Sequence, residues 1–173
     1  MKTPPRWLAV LFFLLLPLAA SAQQQGLEID IVGGNASALP IAVVAMPYQG
    51  SGTAPDTDVA AVVRADLERS GAFRSLPEAS MVERPVRGSE VQYPTWRALK
   101  QDYLVVGRVV DATGGGFRVE YELFDVAKQE RLLGEIKTAR ANAMRDVGHQ
   151  MADAIYEKIL GVRGAFWTRI AYV

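Results

Sequence analysis

His149 is the only histidine in the chain and there is no cysteine. A thiol nucleophile and a Cys/His metal cage are therefore excluded, and one imidazole cannot build either a metal site or a nucleophile relay without partners. His149 stands two residues before apolar Met151 in a helical repeat, which gives it a position but no partner. Carboxylates occur in pairs, Asp56 with Asp58 and Glu120 with Glu122. Such pairs do acid–base work when their environments push the two pKa values apart. Here the first pair precedes a helix, where it caps and compensates the dipole, and the second alternates with apolar residues on a strand face opposite Arg131 and Lys137. Gly50-Ser-Gly52 follows a buried strand and precedes a helix, the placement of a dinucleotide-binding turn, where glycines let backbone amides approach a pyrophosphate. Pro55 occupies the third glycine position of that fingerprint, and Asp56 and Asp58 put negative charge where phosphate must sit. Gly114 to Gly116 lacks the Lys and Ser/Thr of a P-loop and reads as a hairpin turn. The sequence assigns no catalytic residue, no cofactor and no metal, which favours a binding protein over an enzyme.

The elements around these residues follow from hydrophobic period. Leu27-Glu-Ile-Asp-Ile-Val32 alternates, so Leu27, Ile29 and Ile31 share one face and Glu28 and Asp30 the other. Gly33, Gly34 and Asn35 break the pattern, leaving this short strand on a flexible hinge. It is either an ordinary edge strand of the fold or a strand lent to the sheet edge of a partner. Pro40 opens Ile41 to Met46, a continuous apolar run that suits a central strand buried on both sides. Asp58 or Thr57 caps a helix carrying Val59, Val62, Val63 and Leu67, and Gly71 stops it. Phe73 to Leu76 reads as a short edge strand, Glu78 to Tyr93 as irregular, and Pro94 to Leu99 as a short capped helix. Tyr103 to Val110, Phe117 to Asp125 and Arg131 to Ala139 form an antiparallel meander. Asn142 then caps a final helix with Met144, Val147, Met151, Ile155 and Ile159 on one stripe. The expected fold is α+β, a two-layer sandwich of a mixed sheet of about five strands with two main helices on one face.

The ends carry their own signals. Lys2 and Arg6 precede an uncharged run from Trp7 to Ala19, and Ala20-Ser21-Ala22 offers the small residues of a cleavage site, so residues 1–22 read as a secretory signal peptide. The run is shorter than the roughly 20 residues that cross a bilayer. No cysteine follows to take a lipid, so the expected location is the periplasm. Residues 23–173 hold 17 basic and 19 acidic residues, a net charge of −2, which excludes a strongly basic nucleic-acid binder. Their length fits one domain. Trp167 to Val173 is β-branched and aromatic, a strand pattern at the chain end that pairs back into the fold, pairs with another molecule or belongs to a further domain, the third being the preferred reading.

Four stretches together resemble the amino-terminal domain of the TolB family: Pro40-Ile-Ala-Val-Val44, Ala65-Asp-Leu-Glu-Arg-Ser-Gly-Ala-Phe73, Val105-Val-Gly107 with Tyr121 and Leu123, and Gly164-Ala-Phe-Trp-Thr-Arg-Ile-Ala-Tyr-Val173. The resemblance implies a segmentation: signal peptide 1–22, mobile segment 23–35, α+β domain 36–162, and residues 163–173 as a linker and the first strand of a β-propeller absent from this chain. It also implies a role, that of a non-enzymatic periplasmic adaptor of the Tol-Pal system linking the TolQRA inner-membrane complex to the outer-membrane lipoprotein Pal, for envelope integrity and constriction at cell division. By the same resemblance, Leu27, Glu28, Ile29, Asp30, Ile31 and Val32 bind the C-terminal domain of TolA with Gly33 and Gly34 as hinge, and Pal binds only where the propeller is present. The alternative is a stand-alone periplasmic adaptor that regulates a cell-wall enzyme.

Overall fold

The computed structural model describes residues 37–168. The expected signal peptide, the segment 23–35 with its site residues Leu27 to Val32 and hinge Gly33 and Gly34, and residues 169–173 lie outside the described residues.

Five strands form one mixed sheet in the order β2-β1-β3-β4-β5. They are β1 (Leu39–Val43), β2 (Phe73–Ser75), β3 (Tyr103–Asp111), β4 (Phe117–Asp125) and β5 (Glu130–Ala139). β1 runs parallel to both β2 and β3, while β3, β4 and β5 form the expected antiparallel meander. Ile41, Ala42, Val43 and Val44 are all fully buried, because β1 has neighbours on both edges and cover on both faces. Proline is tolerated in this central strand because Pro40 lies one residue before the β3 ladder begins at Ile41 and Tyr103. Only its carbonyl is needed there, and it accepts from the Asp102 N–H at 3.1 Å.

Two long helices, α1 (Val59–Arg69) and α3 (Met144–Leu160), cover one face. Asp58 caps α1 by accepting from the Ala61 N–H at 3.0 Å, as the sequence predicts. Gly71 (φ 73°) and Gly161 (φ 73°) end the helices in the left-handed region. The stripe expected on α3 is present: Met144, Val147, Met151 and Ile155 are buried, and Ile159 packs at the margin of the core. Each such burial is worth about 1.5–3 kcal/mol. The cap of α3 differs from expectation. Asn142 lies inside a 3-10 turn, Ala141–Ala143, that β5 runs into, so Ala143 takes the cap position and makes no side-chain cap bond.

The opposite face holds a second core of Ala42, Val44, Leu104, Val106, Phe124 and Val126. The stretch read as irregular supplies part of its cover, Met81 and Val91, and the short helix after it supplies Trp96, all three buried against this face. Trp96 belongs to α2 (Tyr93–Ala98), which starts with Pro94 in its first turn and has no side-chain cap, contrary to the expected capped helix. Arg64 ties the layers together by donating to the Val43 carbonyl at 2.8 Å and to Glu78 at 3.1 Å. This cover reaches Phe124 of β4 and stops short of the rest of that strand and of β5.

Candidate functional site

The uncovered stretch of sheet forms an open groove of about 810 Å³, with Arg108, Glu120, Glu122 and Gly134 on its floor and the turn at Arg87 and Gly88 as one wall. Strand alternation puts these side chains on the face away from α1 and α3. Antiparallel register sets Arg108 directly across from Glu120, and the guanidinium grips the carboxylate with Nε at 2.8 Å and Nη2 at 2.6 Å. Arg118 adds a contact at 2.8 Å. The hydrogen bonds from Arg108 and the two positive charges hold the Glu120 carboxyl below its usual range, against the opposing effect of burial. Glu122 accepts from the Gly88 N–H at 2.6 Å and from Arg131 at 2.9 Å.

Glu120 is thus a held anion, the reverse of what a general acid requires, and Glu122 is engaged by a backbone amide and a guanidinium. One partner expected from the sequence is correct and one is not. Arg131 does pair with Glu122, whereas Lys137 pairs with Glu135 at 2.8 Å and leaves Glu120 to Arg108. Lys137 faces the helices, because a bulge between Leu123 and Phe124 offsets the register of β5. Glu135 also accepts from the buried Tyr121 hydroxyl at 2.8 Å, and burial followed by this carboxylate pushes that hydroxyl well up. Exposed Ile136 borders the groove. The charged floor offers electrostatic complementarity to another protein.

The glycine turn is closed by side chains. Asp111, at the end of β3, accepts from the Tyr48 hydroxyl, from the Ser51 N–H at 2.9 Å and from the Ser51 hydroxyl at 3.2 Å. The Gly52 N–H donates to the Tyr48 hydroxyl at 2.8 Å. The amides a phosphate would need are already engaged by a tyrosine and a carboxylate, and the Tyr48 and Ser51 hydrogen bonds hold Asp111 low. Of the aspartates ahead of α1, Asp58 is the cap, as the sequence suggests. His149 reaches across to α1, and its Nδ1 lies 2.5 Å from buried Asp66. Among the described residues no group of three or more His, Cys, Asp or Glu could hold a metal ion, and no helix is long and apolar enough to cross a membrane.

The site residues named from the sequence, Leu27 to Val32 with Gly33 and Gly34, are not brought to any of these places, since they lie outside the described residues. The structure describes where their segment joins the domain. Leu39, at the start of β1, donates its N–H to the Ala72 carbonyl at 2.9 Å and pairs in register with Phe73 of the edge strand. Sequence reasoning missed Arg108 and the Tyr48–Asp111 contact. The Arg108–Glu120 pair was recoverable by folding the meander about its Gly turn, but Tyr48 and Asp111 share no local signal.

Compared with known proteins, residues 27–132 match the family model described as the TolB amino-terminal domain. All 173 residues align at 76% identity with the Tol-Pal system protein TolB of Xanthomonas oryzae pv. oryzae, and equally with that of Xanthomonas campestris pv. campestris, covering 39% of each relative. Among solved structures, TolB from Acinetobacter baumannii is similar at 33% identity with a TM-score of 0.62, over 75% of this chain and 30% of that one. The chain therefore spans well under half the length of the curated relatives it matches.

Proposed function

This chain belongs to the TolB family, and we propose that it is a non-enzymatic periplasmic adaptor of the Tol-Pal system that links the TolQRA inner-membrane complex to the outer-membrane lipoprotein Pal. The observation that carries this reading is 76% identity to Tol-Pal system proteins across the whole chain, a span that includes Leu27 to Val32. The signal pattern of residues 1–22 supports export. The groove supports an interaction role, since its carboxylates are fixed in place by guanidinium groups and a backbone amide beside exposed Ile136.

Within this reading Leu27, Ile29 and Ile31 alternate between a position docked on the domain and an extended one captured by the C-terminal domain of TolA. Gly33 and Gly34 act as the hinge. Each of these side chains gains about 1.5–3 kcal/mol on burial, before the cost of ordering the segment is subtracted. The two states therefore lie close enough for a partner to choose between them. Pal contact belongs to the portion of the relatives that this chain does not span.

The test is calorimetric titration of residues 23–173 with the periplasmic C-terminal domain of TolA, beside a version lacking residues 23–32. The reading expects binding by the first and none by the second. A folded domain that binds equally well with and without the segment would refute it.

A further inference from the structure

The contacts of the last described residues do not follow from the sequence pattern. After Gly161 the chain doubles back along α3. The two carboxylate oxygens of Asp153 accept from consecutive backbone amides, the Phe166 N–H at 2.8 Å and the Trp167 N–H at 3.1 Å. One helical turn further on, Tyr156 meets the Phe166 ring edge-on at 5.5 Å and meets Phe73 of β2 at 6.0 Å. Gly164 passes so near that a Cβ there would lie 2.4 Å from Asp153 Oδ1 and 2.8 Å from Asp153 Cα. Trp167 and Thr168 are accordingly not in strand conformation.

We propose that Asp153, Tyr156 and Gly164 form a latch that fixes the direction in which the chain leaves this domain. Residues 164–167 are held along α3 as a strap, and the Trp167 indole, 51% exposed, is presented in one orientation. An ionised acceptor holding two successive N–H groups makes charge-assisted bonds, which are the stronger kind. The aromatic contacts continue from the strap through Tyr156 to the edge of the sheet. Without them, Gly161 to Ala165 would be a short glycine-containing hinge free to swing. The strap makes residues 164–167 part of the rigid domain, whatever partners the protein has.

Backbone amide exchange followed by NMR on the exported, purified protein tests this with Asp153→Ala and Gly164→Ala. Protection of the Phe166 and Trp167 amides should fall by about tenfold or more in both variants, while the β3 and β4 amides keep theirs. Trypsin should also cut faster after Arg163, which is exposed. Unchanged exchange at Phe166 and Trp167 in Asp153→Ala overturns the latch. If that variant loses protection in β3 and β4 as well, Gly164→Ala decides: retained protection at Phe166 and Trp167 refutes the proposal, and selective loss there upholds it.

Discussion

His149 and Asp66 join the two long helices: Nδ1 of the imidazole lies 2.5 Å from a carboxylate that is 1% exposed. Asp66 is also held by Arg69 at 2.8 Å, so its charge is shared between its own helix and its neighbour. His149→Ala leaves a buried acceptor short of one partner and is expected to cost about 1–3 kcal/mol, read as a lower urea midpoint. Replacing both residues by leucine should recover much of that loss, because removing both polar groups leaves nothing unsatisfied. A double variant as weak as the sum of the singles would show that the contact is not what couples the helices.

The same interface limits residue size. A Cβ on Gly148 would lie 2.7 Å from Val62 Cγ1 and 2.8 Å from Val62 Cβ, both on a β-branched side chain with little freedom to turn away. Gly148→Ala, a favourable change for an isolated helix, should here destabilise by about 1–3 kcal/mol. Thermal unfolding at constant pH measures it, and an increase in stability would contradict the close approach of α1 and α3.

Acid should weaken the domain through Glu120 in the groove. Glu120 has its folded pKa lowered by Arg108, so its stabilising contribution is present above the unfolded value, about 4.3, and is lost as pH falls through the folded one. Urea midpoints taken from about pH 6 down to about pH 3 should decline, and decline less steeply in Glu120→Gln. Parallel slopes for the two proteins would mean that Arg108 does not bind the carboxylate in solution.

Recognition should be separable from folding. Ile29→Asp with Ile31→Asp puts charge on the apolar face of the tethered segment and replaces no residue of the two described cores. Titration with the C-terminal domain of TolA should show a large loss of affinity with an unchanged melting temperature. Retained affinity would move the contact elsewhere, and the groove beside Ile136 would be the next surface to alter.

Period and punctuation were enough to find β1 through β5, with β1 starting and ending two to three residues earlier than expected, and to place the Asp58 cap, the Gly71 stop and the buried stripe of α3, because each depends on residues within a few positions of one another. The α+β class and the TolB resemblance were legible for the same reason. The irregular stretch from Glu78 to Tyr93 was opaque, since Met81 and Val91 acquire their role only when the chain returns over the second face of the sheet. The cap at Asn142 was misplaced by one short turn, a feature that propensity does not resolve. The candidate site divides in the same way. Leu27 to Val32 was read as a strand from alternation and named as a site through the family resemblance, whereas Glu120 met Arg108 instead of Lys137 because register and a bulge decided which charges face each other. Tyr48 with Asp111, Asp66 with His149, and Asp153 with Phe166 and Trp167 join residues 13 to 83 positions apart. Only packing in three dimensions brings such groups within hydrogen-bonding distance, so only the tertiary structure could decide them.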